Sequence, residues 1–337
     1  MKKIVTFGEI MMRLSPPLNH RLEQAAELEI TYGGGDANVA ASLACLGLPS
    51  AHVTCFPDHQ LGRAATQQFR RLGVDMRHTV FSPNTRLGLY FLEVGSSLRA
   101  STIVYDRFDS AFAKLDPAAF DWEEILQEAQ WLHWTGITAA VSASAAQACR
   151  DAIRVARRLG ITVSADVNYR RNLWQYGQRA QDVMPELVEG CDVVVCSAGD
   201  AEDLFGITAA PDSGNSFASV AEQLMRRFSQ IKQVIATRRE TQSASHERIL
   251  GMHFGPEGYC ETTALDIAPV VDRIGGGDAF IAGFIYASLK YETVQESLAF
   301  AVAASALKHT IHGDVNLATA SEVEHIMAGN TSGRLLR

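Results

Sequence analysis

The pentapeptide Gly-Gly-Gly-Asp-Ala occurs twice in this 337-residue chain, at 33–37 and at 275–279. The second copy sits in Asp272-Arg273-Ile274-Gly275-Gly276-Gly277-Asp278-Ala279-Phe280, and the small and apolar residues that follow, to Leu289, read as a helix. Three glycines at a helix entrance leave their backbone N–H groups bare. With the positive end of the helix dipole behind them, Gly275, Gly276 and Gly277 can aim several amides at one anion. A carboxylate there repels phosphate unless it has a task of its own, such as accepting the proton of an attacking hydroxyl. The motif points to phosphoryl transfer with Asp278 as general base. The plain structural alternative for Asp278 is a helix N-cap, but a cap alone does not call for three preceding glycines.

Strand-like and helix-like runs alternate along the rest of the chain. Strands are expected at Lys3–Gly8, Val53–Phe56, Trp131–Thr135, Thr162–Asp166, Val193–Cys196 and Val234–Thr237. Helices are expected at Asp36–Leu46, Leu61–Leu72, 144–159, 178–189, 219–228, 278–289, 295–309 and 321–328. This rhythm predicts an α/β fold, a mostly parallel sheet with helices on both faces. Two stretches break it. Met11–Tyr32 is long for a strand-to-helix link, where about 2–6 residues are usual. Leu87–Val94 and Thr102–Arg107 read as a two-stranded ribbon. Together they predict a small β lid, from about 11–32 and 86–110, over the carboxyl edge of the sheet, where open α/β sheets bind ligands. The tail, 329–334, is expected to fray.

At 47% hydrophobic and 20% charged residues, the chain suits one large domain with a modest subdomain. A formal net charge of -8 argues against a nucleic-acid partner. No apolar run approaches the ~18 residues that span a bilayer, and the first eight residues read as a buried strand rather than a secretion signal. Six scattered cysteines without Cys-x-x-Cys fit reduced thiols in the cytoplasm. No P-loop, Gly-x-Gly-x-x-Gly, His-Glu-x-x-His or Gly-x-Ser-x-Gly motif occurs.

Asp36 and Asn38, one turn into the first glycine-led helix, are placed to hold sugar hydroxyls. Tyr105 and Arg107 share a strand face, Tyr90 lies on the neighbouring strand, and Arg170 follows a strand end. Two arginines and two tyrosines around one pocket suit an acidic sugar, because arginine binds a carboxylate with two prongs. His309 either partners a helix C-terminus or flanks a base pocket. His133 and the tryptophans read as core.

Asp272-x-x-Gly-Gly-Gly-Asp278 and Gly33-Gly34-Gly35-x-x-Asn38-x-Ala40 resemble the C-terminal and N-terminal motifs of the ribokinase-like, or PfkB-type, carbohydrate kinases, and the similarity runs through nearly the whole chain. Gly88-Leu89-Tyr90, Tyr105-Asp106-Arg107 and Asp166-Val167-Asn168-Tyr169-Arg170-Arg171-Asn172-Leu173-Trp174 are most similar to 2-keto-3-deoxygluconate kinases. The resemblance implies a three-layer ribokinase-like fold with a lid, often paired lid to lid in a homodimer, and a reaction using ATP and Mg²⁺. It implies that Asp278 is the base, that Gly275, Gly276 and Gly277 form the anion hole, and that Gly34, Asn38, Tyr90, Tyr105, Arg107 and Arg170 hold the sugar acid. Some relatives place a monovalent cation such as K⁺ beside the anion hole, where Asp272 and the Ile274 carbonyl match. Two family segments are altered. An Asn-x-x-Glu that organises Mg²⁺ reads Ser197-Ala198-Gly199-Asp200, and the nucleotide segment Lys-x-Gly-x-x-Gly is replaced by 237–246. Asp200, Thr237, Arg238 and His309 are the nucleotide-side candidates. Alternatives are a fructokinase, ribokinase or nucleoside kinase of the same fold, or a non-catalytic sensor of sugar acids or nucleotides.

Overall fold

The computed structural model describes residues 2–331 and 333. Of the tail expected to fray, 332 and 334 lie outside the described residues. Ten strands form one sheet. From edge to edge it runs Gly258–Glu261, His246–Gly255, Gln233–Ser243, Val193–Val195, Thr162–Asp166, Ala129–Thr135, Lys3–Phe7, Ser50–Pro57 and Thr79–Ser82, with Leu265–Ile267 paired beside His246–Gly255. From Gln233–Ser243 to Thr79–Ser82 every neighbour is parallel. The expected α/β fold is present. Central strands such as Val193–Val195 are short, β-branched and covered on both faces, as parallel strands must be.

The Gln233–Ser243 strand is longer than the expected Val234–Thr237 and forms an antiparallel hairpin with His246–Gly255. Its outer half, Arg238-Arg239-Glu240, is polar because it leaves the core and borders open space, so apolar patterning stops before the strand does.

A second sheet orders Glu29–Gly33, Met11–Ser15, Leu89–Glu93 and Thr102–Asp106. The two expected ribbon strands pair antiparallel, and the long 11–32 link supplies the other two strands. The helices end near where sequence placed them, with caps that explain the boundaries. Ser142, Asn215 and Thr293 each accept a backbone N–H two or three residues inside the helix they open.

Helix Gly276–Ser288 is apolar all round and buried on nearly every face. It lies against Gly35–Cys45 and Val294–Lys308. Gly283 permits the second contact, since a Cβ there would sit 2.9 Å from Ala301 Cα. The two glycine-led helices are thus packed side by side, and their N-termini open at one place. The sheet register matters equally. Thr135, Asp166 and Val195 are paired across neighbouring strands, so these strand ends reach the same level.

Candidate active site

Strand ends, both glycine turns and the small sheet enclose a cleft of about 680 Å³. It collects most of the sequence candidates: Gly34, Asn38, Tyr90, Tyr105, Arg107 and Arg170, and also Asp200, Thr237, Ile274, Gly275, Gly276, Gly277 and Asp278.

Gly275 is the N-cap of its helix, with φ +80°, a left-handed conformation that a side chain would resist. A Cβ there would also collide with the Asp314 carbonyl. The turn therefore takes this shape only because the residue is glycine, and within it Gly276 N–H donates to the Arg273 carbonyl at 3.3 Å. Asp278 stands in the first turn after it. Asn38 Nδ2 donates to Asp278 Oδ2 at 2.8 Å, and Asn38 Oδ1 accepts from Gly34 N–H at 3.3 Å. Burial pushes the Asp278 carboxyl up to about 6, with the Asn38 hydrogen bond opposing that rise and Asp314 adding to it. This is a carboxylate poised near neutrality, as proton acceptors in enzymes are.

The remaining candidates have distinct partners. Asn38, expected on substrate hydroxyls, lines the cleft and gives its amide to Asp278. Asp36 lines the cleft but is almost fully buried, and the Thr138 and Thr135 hydroxyls donate to its Oδ2 at 2.7 and 3.1 Å. Tyr90 gives its hydroxyl to Asp314 Oδ2. The Nε and Nη2 edge of Arg107 faces Glu9 Oε2 at 2.8 and 2.5 Å, so only the other end of its fork is open. Arg170 is exposed, and its Nη1 meets only the neighbouring Tyr169 carbonyl, at 3.4 Å. Asp200 completes a capping box with Ser197 (Oγ to Oδ2, 2.6 Å) and accepts from Tyr169 N–H at 3.3 Å.

Two nucleotide candidates, Arg238 and His309, lie outside the cleft lining. Arg238 does not line the cleft and pairs with Glu261 at 3.5 Å instead. Residues 237, 239 and 241 share one strand face, so Arg239 enters the cleft. Its Nη2 lies 3.7 Å from where a Cβ on Gly277 would be. His309 is fully buried beneath the glycine turn. Its Nδ1 faces the Ser305 carbonyl at 2.7 Å, and its ring comes within 2.5 Å of a Cβ placed on Gly276. It shapes the turn from behind.

Sequence reasoning also passed over Arg13, Asp166 and Asp314. Asp166 lines the cleft, and burial, aided by the charges of Asp278 and Asp200, pushes its carboxyl up to about 7. Arg13, on the lid strand Met11–Ser15, bridges Asp272 Oδ2 at 2.7 Å and Asp314 Oδ1 at 2.8 Å. Only its place on an alternating strand marked it, and a fully inward arginine is against the ordinary pattern.

The Asp272 half of the expected monovalent-cation site already has its partners. Asp272 Oδ1 accepts Ile274 N–H (3.0 Å), while Oδ2 takes Gly313 N–H (3.2 Å) and Arg13. The Asp272 carbonyl takes Lys308. Among the described residues no three His, Cys, Asp or Glu side chains cluster as a metal cage, and no helix is long and apolar enough to cross a membrane.

A profile described as pfkB family carbohydrate kinase matches residues 1–320. The 2-dehydro-3-deoxygalactonokinase of Haloferax volcanii is 33% identical over 333 residues, 98% of each chain. The crystal structure of 2-dehydro-3-deoxygluconokinase from Thermotoga maritima superposes with a TM-score of 0.92 at 40% identity, covering 98% of this chain and 100% of that one. An Escherichia coli structure in complex with ATP and Mg²⁺ shares the fold at 20% identity, with a TM-score of 0.79 and coverage of 98% and 100%.

Proposed function

Because this chain belongs to the pfkB family of carbohydrate kinases, we propose that it transfers the γ-phosphate of ATP to the terminal primary hydroxyl of 2-keto-3-deoxygluconate. The product is 2-keto-3-deoxy-6-phosphogluconate. The observation that carries the reading is the Asp278 carboxylate, oriented by Asn38 at the mouth of a helix entered through three glycines, of which Gly276 gives its N–H to the Arg273 carbonyl at 3.3 Å.

Asp278 takes the hydroxyl proton as the sugar oxygen attacks in line. The amides of Gly275, Gly276 and Gly277 and the Arg239 guanidinium stabilise the charge on the transferred group, where one donor can be worth about 3 kcal/mol. Mg²⁺ entering with the nucleotide would need no cage of protein side chains. Asp166 and Asp200 are the cleft carboxylates that would hold its waters, and when bound it neutralises phosphate charge. Arg170, with an open fork, grips the sugar carboxylate, and Arg107 adds its free end. Identity of 40% to the Thermotoga enzyme supports the gluconate epimer over the galactonate. The exposed lid side chains Ile30 and Val104, at 57% and 51%, support a lid-to-lid homodimer. Sedimentation velocity should find that dimer, and a monomer at micromolar concentration rules it out.

An ADP-release assay on 2-keto-3-deoxygluconate, 2-keto-3-deoxygalactonate and fructose tests the substrate. The gluconate acid should give the highest kcat/KM. Higher kcat/KM on fructose would replace this reading with that of a neutral-sugar kinase. Arg170→Ala should raise KM for the acid about 10- to 100-fold, the loss of a charged hydrogen bond, and leave fructose turnover unchanged. If KM for the acid does not move, the carboxylate is held elsewhere.

A further inference from the structure

Lys308 ends helix Val294–Lys308 and is fully buried. A lysine ammonium is seldom taken from water without a carboxylate to meet it. Here Nζ donates to two main-chain carbonyls, those of Asp272 at 3.1 Å and Ile311 at 2.9 Å. Burial lowers the pKa of this ammonium to about 8, and the Asp272 and Asp314 carboxylates, themselves bonded to Arg13, oppose that fall through space. Lys308 Cε lies 3.4 Å from where a Cβ on Gly275 would be. The ammonium therefore stands directly behind the first glycine of the anion-binding turn.

Main-chain carbonyls converging on one positive charge are the donor set that K⁺ or Na⁺ takes. In this chain the Asp272 and Ile311 carbonyls receive the Lys308 ammonium instead, and the Asp272 carboxylate is filled by Arg13, Ile274 N–H and Gly313 N–H. We propose that the Lys308 ammonium is a built-in monovalent cation, joining the 272–275 and 311–314 turns behind Gly275, Gly276 and Gly277, so that the enzyme needs no K⁺ or Na⁺. Lys308 is a positioning residue. It touches neither substrate nor nucleotide, and it acts by holding the turn whose amides face the phosphate. Its effect on turnover rests on the reading of that turn as the anion hole; its replacement of an ion does not.

The full-length enzyme is assayed in buffers whose monovalent cation is tetramethylammonium, Na⁺, K⁺ or NH₄⁺, and its thermal unfolding is recorded in each. Wild-type kcat and Tm should be the same in all four. Lys308→Ala in tetramethylammonium should lose about tenfold in kcat, the usual scale for a supporting-shell residue. Added NH₄⁺ or K⁺ should restore it saturably and raise the variant's Tm by mass action. A wild-type kcat that drops about tenfold without K⁺ overturns the proposal, as does a Lys308→Ala protein with full kcat in tetramethylammonium. Should Lys308→Ala not fold, Lys308→Met, which keeps the bulk of the stem, takes its place and the wild-type cation series still decides. The Tm series judges Lys308 even if the anion-hole reading fails, because it does not depend on turnover.

Discussion

Asp278→Asn should lower kcat about 10³-fold, within the range for loss of a positioned general base, while substrate KM and unfolding change little. Asparagine keeps the shape and can still meet Asn38, but it cannot accept the hydroxyl proton. Turnover within a few-fold of the parent would end the mechanism. The pH profile gives a second reading. Burial pushes the Asp278 carboxyl up to about 6, and only its ionised form accepts a proton, so kcat should be level above that pH and fall as pH drops through it. Asp166 shares the cleft and is pushed up to about 7, so the acid limb is assigned by variants. It should persist in Asp166→Asn and be absent from the residual turnover of Asp278→Asn. Asn38→Ala removes the hydrogen bond that favours the Asp278 carboxylate, and its acid limb should move to higher pH. A limb that stays in place means Asn38 does not tune the base.

The layered fold and the glycine turn were legible because each depends on local pattern, alternation of elements and residues that only a turn requires. The twin pentapeptides show where pattern stops. Both open a helix, yet one helix begins at its third glycine, Gly35, and the other at its second, Gly276. Both aspartates line the cleft, yet their partners differ: Asp278 accepts from Asn38, while Asp36 accepts from Thr135 and Thr138. Arg238 and Arg239 divide in the same way. Nothing in their composition tells which faces the nucleotide side, but strand alternation with Thr237 does once the strand is known to continue. His309, Lys308 and Arg13 were beyond reach for another reason. Their roles come from contacts with segments far away in sequence, Arg13 with Asp314 being 301 residues apart.

Arg13 is the position where that long-range wiring should cost most to cut. Its guanidinium is fully buried. Nη2 meets Asp272, Nη1 meets Asp314, and Nε donates to Ser15 Oγ at 2.9 Å. Burial opposes its charge, but the two carboxylates outweigh burial and hold the guanidinium above its ordinary value. Arg13→Met fills much of the volume and strands two buried carboxylates, a loss of about 3–5 kcal/mol for a buried pair broken on one side. Against a total stability of about 5–15 kcal/mol, urea unfolding will read that easily. Exposed pairs such as Arg63 with Asp58 are screened by water and serve as the control that should barely register. Arg13→Lys should also lose stability, since one ammonium cannot reproduce a fork held between two carboxylates. Adding Asp314→Asn to Arg13→Met removes one stranded charge, so the double variant should be less destabilised than the sum of the two single changes. An Arg13→Met protein within about 1 kcal/mol of the parent would mean that water reaches the carboxylates and that the bridge is dispensable. The consequence for turnover follows from where the partners stand. Arg13 belongs to a lid strand, Asp272 opens the segment that leads into the glycine turn, and Asp314 receives Tyr90 from the lid while its carbonyl crowds Gly275. One guanidinium therefore fastens the lid sheet to the segments around the glycine turn, and its loss should loosen both together, raising KM for the sugar acid and for ATP.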